Sequence, residues 1–230
     1  MAVALDAKLG FGSSHNALTT FTDTAFTVGS GSNRVLVVAL SVEVSSGSPP
    51  TTPTANWDST GTNQSMSLIH TQSDSNDPNI SSYLFGLVAP TSGNKTLSIA
   101  ALTSTSDSLI AYISFTGADQ TGGTTTFKNA TGSIASATSI TETPTANSGD
   151  AVVAVFGGND GTPSVNQTSW SAATLTTLTT DYWIANYALA TGSMSMTMTQ
   201  GSTAFCNGNA MVINQAASGV ALNQQTLVMM

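Results

Sequence analysis

The sequence predicts an all-β chain folded as an antiparallel β-sandwich with little or no helix. Its apolar residues fall in short runs with the two-residue period of strands, and Gly, Pro, Asn and Asp clusters punctuate those runs at close intervals. No apolar i, i+3, i+4, i+7 pattern persists for three turns between capping residues. Closely spaced strands joined by polar turns build sandwiches, whereas βαβ units would alternate strands with helices.

The first clear strand is RVLVVALSVEV, from Arg34 to Val44, in which Val38, Leu40, Val42 and Val44 alternate with Ala39, Ser41 and Glu43. A run this apolar also suits a strand buried on both faces, which leaves the phase of its alternation open. SMSLIH (65–70), SYLFGLV (82–88), TLSIAAL (96–102) and LIAYISF (109–115) follow. Between them stand the turn signals Ser48-Pro49-Pro50, Asp77-Pro78-Asn79, Pro90-Thr91-Ser92-Gly93-Asn94 and Gly117-Ala118-Asp119. Later strands are expected at 133–143, 150–156, 181–190, 194–199 and 210–214. The stretch from Gly117 to Gly132, with its Gly122-Gly123 pair, reads as a long loop between two halves of one sandwich. The expected core holds Leu36, Val38, Leu40, Leu84, Ile113, Phe115, Val153 and Val155. Residues 1–218 form one domain in this reading, and residues 219–230 are an apolar C-terminal tail.

Composition narrows the partners. Only 7% of the 230 residues are charged, against about a quarter in ordinary globular domains. Ser, Thr, Asn and Gly take the vacated places, so sheet edges carry few of the charges that discourage edge-to-edge pairing and are expected to be covered. Twelve acids against 4 bases give a formal net charge of −8. Four cations cannot neutralise many phosphates, which excludes direct nucleic-acid binding and attraction to anionic membranes. The acids sit singly in turn-like settings such as Asn56-Trp57-Asp58 and Asn159-Asp160-Gly161. Cys206 is the only cysteine, so no intrachain disulfide forms. No basic start followed by an apolar stretch marks a signal peptide, and no run reaches the ~18 apolar residues of a membrane helix.

Few residues suggest chemistry. A zinc site would need His15, His70 and Cys206 to converge, and a hydrogen-bonded histidine on a polar face is the better reading of each histidine. No Gly-x-Ser-x-Gly elbow occurs. Asp58 beside Trp57 and Asp181 beside Tyr182-Trp183 pair carboxylates with aromatics as glycosidases do, though turn capping by Asp181 and inward packing of Trp183 explain the second pair. Trp57, Trp183 and Tyr182 are the candidates for a glycan-stacking platform. Asp74 and Asp77, in the loop DSNDPN, are the calcium candidates, by oxygen-rich composition alone. No catalytic residue and no cofactor are assigned. The five Asn-x-Ser/Thr triplets, at Asn63, Asn79, Asn94, Asn129 and Asn166, are what a Ser- and Thr-rich chain produces by chance.

The tail GVALNQQTLVMM carries Val220, Leu222, Leu227, Val228, Met229 and Met230 with no charge among them. An apolar end needs a surface to cover it. It is expected either to fold back as a last strand or to make an intersubunit contact, with the second reading favoured.

Four segments in a fixed order carry a resemblance. They are SNRVLVV from Ser32, SYLFGLVAPTSG from Ser82, AYISFTGADQ from Ala111 and SGDAVVAV from Ser148, closed by AMVIN from Ala210. Their order resembles a β-sandwich domain common in uncharacterised phage and environmental bacterial proteins, over roughly residues 21–217. The resemblance implies a jelly-roll-like sandwich of virion or surface-exposed proteins, with structural rather than catalytic motifs. It implies a non-enzymatic particle component on the virion exterior, a capsid decoration (cement) or tail-associated protein. Its partners would be other copies of itself and a capsid or tail protein. A surface-displayed carbohydrate-binding module is the alternative.

Overall fold

The computed structural model describes residues 1–13, 18–44, 52–73, 79–105, 107–158, 163–174 and 182–217. The chain forms β1 (Ala4–Ser13), β2 (Leu18–Asp23), β3 (Thr27–Val28), β4 (Val35–Val44), β5 (Thr54–Trp57) and β6 (Gln64–Ser65). Next come β7 (Ser67–Ser73), β8 (Asn79–Val88), β9 (Gly93–Asn94), β10 (Leu97–Thr105) and β11 (Asp107–Thr116). A 3-10 turn at Gly123–Thr126 leads into β12 (Phe127–Glu142), β13 (Ala151–Gly158), β14 (Ser164–Val165), β15 (Thr168–Thr174), β16 (Tyr182–Leu189) and β17 (Met196–Ile213). All pairings among these strands are antiparallel, so the expected all-β sandwich class is the class found.

Strand β4 decides the layering. Val35, Val37 and Ala39 point to one side and Leu36, Val38, Leu40 and Val42 to the other, and every one of them is fully buried. A strand apolar on both faces must be covered on both faces. It lies at the centre of a sheet ordered β1-β11-β4-β8-β7. One face of this central sheet packs on a sheet ordered β2-β10-β5-β6, through Ala55, Trp57, Leu97 and Ile99. The other packs on a sheet ordered β12-β17-β13-β16-β15, through Val153, Val155, Met211 and Ile213. The sandwich therefore has three layers, and the eight expected core residues divide between its two interfaces. Leu36, Val38 and Leu40 serve the first, while Leu84, Ile113, Phe115, Val153 and Val155 serve the second.

A third core lies beyond. Strand β17 runs beside both β12 and β13, and its pairing with β12 breaks register between Ala137 and Ser139, opposite Ala204 and Thr199. Extra residues on one strand bend a ribbon. Gln200 fills that corner, donating Nε2 to the carbonyls of Ala137 at 2.6 Å and Ala204 at 2.8 Å. The bent end brings Ile140, Met196 and Met198 onto Val152, Ala154 and Phe156, the faces of β13 turned away from the central sheet.

Two expectations change. Phe127–Gly132 is strand, not loop, because β17 pairs with it on both sides of a register break between Lys128 and Thr131. The two strands expected at 194–199 and 210–214 are ends of the single bent strand β17. Because the central sheet is closed on both sides, Leu40→Ala and Leu84→Ala, on opposite faces, should each cost about 2–5 kcal/mol in urea denaturation. A loss below about 1 kcal/mol at either position would mean that its face is not closed.

Candidate functional site

The turns that flank β4, β8, β11 and β13 and the segment after β17 meet at one end of the sandwich. Arg34 donates Nη1 to the Gly31 carbonyl at 2.7 Å and Nε to the Pro90 carbonyl at 3.3 Å. The Arg34 carbonyl accepts from the Ala89 amide and, at 2.9 Å, from Gln120 Nε2. The Asp119 amide donates to the Asn214 carbonyl, and the Asn214 amide to the Thr126 carbonyl. Asp150 is the hub. Its two carboxylate oxygens accept the amides of Gln215 and Asn147, each at 2.9 Å, and Lys128 Nζ stands 3.4 Å away while also donating to Asn214 Oδ1. The Asp150 side chain is fully buried, and these partners offset the cost of burying it. Gly117, at φ +75°, and Gly149, at φ +93°, make the turns, and a side chain at either would also collide with Ala2 or Gln215. The result is a mechanical clasp that ties both halves of the chain together.

A polar seam joins the central sheet to the β12–β17 sheet. Asn209 donates Nδ2 to the Ser82 carbonyl at 3.2 Å, which leaves Oδ1 to accept from His70 Nδ1 at 2.9 Å. Ser82 Oγ donates to Asn207 Oδ1 at 2.7 Å, and Asn207 Nδ2 donates to the Gln72 carbonyl at 3.1 Å. Ser82, Asn207 and Asn209 are all buried. Sequence reasoning found His70 as a hydrogen-bonded residue but missed the asparagines. Their signal was Asn207-Gly-Asn209, two polar residues at strand spacing just before the apolar run at 210–213.

Beside the seam lies a groove. Gly86 in β8 has no side chain, and the Phe127 ring occupies the space where a Cβ would sit, 2.5 Å from the nearest ring carbon. Two adjoining hollows, of about 180 and 380 Å³, run along the β7 end of the central sheet and share Thr124 and Phe127 as walls. Leu68, Ile69, Leu87 and Val88 supply the rest of the apolar lining.

The sequence-predicted residues scatter. Trp57 is fully buried among Phe26, Leu97 and Tyr112, and its Nε1 donates to the Thr91 carbonyl at 2.9 Å. It is therefore not available to stack on a sugar. Tyr182 and Trp183 open β16, in the sheet on the far side of the central one from Trp57. Cys206 belongs to the third core, whereas Asn209, the partner of His70, faces the central sheet, so Cys206 and His70 do not converge. Burial pushes the Cys206 thiol up. His15, the calcium candidates Asp74 and Asp77, Asp181 and the tail residues Val220, Leu222, Leu227, Val228, Met229 and Met230 lie outside the described residues.

Asp58 is held in its turn. Its Oδ2 accepts from the Thr62 amide at 3.1 Å and the Thr62 hydroxyl at 2.9 Å, and Lys95 Nζ is 3.5 Å away. The Thr62 amide first, then its hydroxyl and Lys95, hold the carboxyl below its ordinary 3.8, against burial that pushes it up. With Lys8 over the Tyr187 ring at 5.2 Å, all four cations of the chain are engaged in internal contacts.

Removing the hub should loosen the clasp: Asp150→Ala should cost about 2–4 kcal/mol in urea denaturation, since two amides and Lys128 lose their acceptor. A cost under about 1 kcal/mol would show that the clasp does not bind the halves. Asp58 contributes stability above the unfolded carboxyl pKa, lost as pH falls through its lowered folded value. Asp58→Asn should therefore flatten the decline in stability below about pH 4, and an unchanged acid limb would contradict that role.

No family model matches the chain, and comparison with curated proteins and with solved structures finds no significant match.

Proposed function

We propose that the chain is a non-enzymatic structural protein of a phage particle, carried on the particle exterior as a capsid decoration (cement) or tail-associated protein. The observation that carries this reading is the clasp. The segments that resemble a phage sandwich domain meet there as turns, backbone hydrogen bonds and one buried ion pair, a set suited to holding a shape. The charge-poor composition agrees with it, because neutral surfaces pack against neighbours with little desolvation of ions. So does the short supply of exposed apolar anchors on the body: among the residues whose side chains are described, only Met1 and Leu189 are large apolar side chains left exposed. The apolar tail residues Val220, Leu222, Leu227, Val228, Met229 and Met230 are then the contact to other copies or to the shell beneath. The carbohydrate-binding alternative has lost Trp57 as a stacking surface.

Gradient sedimentation of a lysate tests the reading, with the full-length protein expected in the particle fraction as a multimer. Truncation after Ser218 should abolish both the oligomer and particle occupancy. If the shortened chain forms the same oligomer and occupies particles at full level, with only a lower Tm, the tail is a private strand and the assembly role fails.

A further inference from the structure

Strand β7 ends the central sheet, and its two halves differ. The half from His70 to Ser73 is closed by the seam, with Gly132 of β12 so close that a Cβ there would stand 2.8 Å from the His70 ring. The half from Ser67 to Ile69 borders the groove, and its register is broken between Leu68 and His70. No lining residue of the groove is charged. Ile213 pairs with Phe127 in the groove wall and Asn214 donates its amide to Thr126, after which the chain passes to Gly117 and Met1, which hold Ala216, and the described residues end at Ala217. The last residues, from Ser218, are SGVALNQQTLVMM, and no Asp, Glu, Lys or Arg occurs after Asp181. A neutral segment facing a neutral groove meets no charge penalty. Fully extended, those residues reach about 40 Å, enough to leave one body for another.

We propose that this groove is the receptor for the C-terminal segment, Val220 to Met230, of a second copy of the chain. The segment adds as a strand along Ser67–Ile69, with Leu227, Met229 or their neighbours seated in the two hollows. Methionine's flexible side chain suits such irregular space. The same contacts are available to a chain's own tail. Exchange between adjacent copies therefore sacrifices no contact while linking subunits, and copies packed side by side on a particle favour it through high local concentration. The inference rests on the reading of the chain as a particle subunit.

Variants of the full-length protein with one added cysteine test it. Thr124→Cys places a thiol at the exposed groove mouth, Met229→Cys places one in the segment, and Ser202→Cys is an exposed control on the bent part of β17. The native Cys206 is buried and should stay silent. The Thr124→Cys and Met229→Cys proteins, mixed under mild oxidation, should form a disulfide-linked dimer roughly tenfold faster than Ser202→Cys with Met229→Cys. Equal rates, no dimer, or a Thr124→Cys/Met229→Cys double variant that closes only within its own chain would overturn the proposal. Sedimentation of the parent protein with particles is read separately. Failure of the cross-link alone removes the groove as receptor, whereas absence from particles removes the subunit reading itself.

Discussion

The rest of the architecture depends on a central sheet that is apolar on both faces. Val37 and Val38 are neighbours in sequence, face opposite ways, and are both fully buried. Tyr112 and Ile113 on β11, and Leu84 and Phe85 on β8, repeat the arrangement. Each large side chain contributes about 1.5–3 kcal/mol on burial, so leaving either face open would forfeit several such contributions at once. The outer sheets exist to close it. The β2-β10-β5-β6 sheet covers one face, and the larger sheet beginning at β12 covers the other and then folds its own ribbon end over itself.

Polar groups in this molecule act as fasteners. Asp150, Lys128 and Arg34 join loops at the clasp, Asn207 and Asn209 join sheets at the seam, and Gln200 holds the corner where β17 bends. Two further, partly buried contacts obey the same logic: Tyr112 donates its hydroxyl to Asp23, and Ser133 donates to Glu142. Buried polar groups that are paired in this way specify one packing, because any slip would leave a donor or acceptor unmet. A chain with so few charges, whose four cations are all held in internal contacts, presents a surface poor in cations to other molecules.

Much of the fold was legible in the sequence, and the reasons are local. Strands β4, β8, β11 and β13 announced themselves by apolar runs between turn residues, and the eight core residues named from those runs are all buried. Strand β1 did not, because KLGFG mixes glycine and lysine with few apolar residues and takes its structure from pairing with β11. The third layer was also hidden, since a run buried on both faces reads like any apolar strand until its neighbours are placed. Of the candidate site, His70 and the turn glycines could be found by type and position. The hub role of Asp150 and the groove under Gly86 arise from contacts across long stretches of chain, which no local pattern encodes.

Native-state hydrogen exchange on the full-length protein tests most directly whether the two-faced sheet holds all three layers as one unit. The account predicts that the central amides of β4, β8 and β11 and those of β13 and β17 exchange only through one shared global opening, with the same dependence on denaturant. Exchange of β13 and β17 through an earlier opening, while β4, β8 and β11 stay protected, would show that the outer sheet is a separate body and would contradict it.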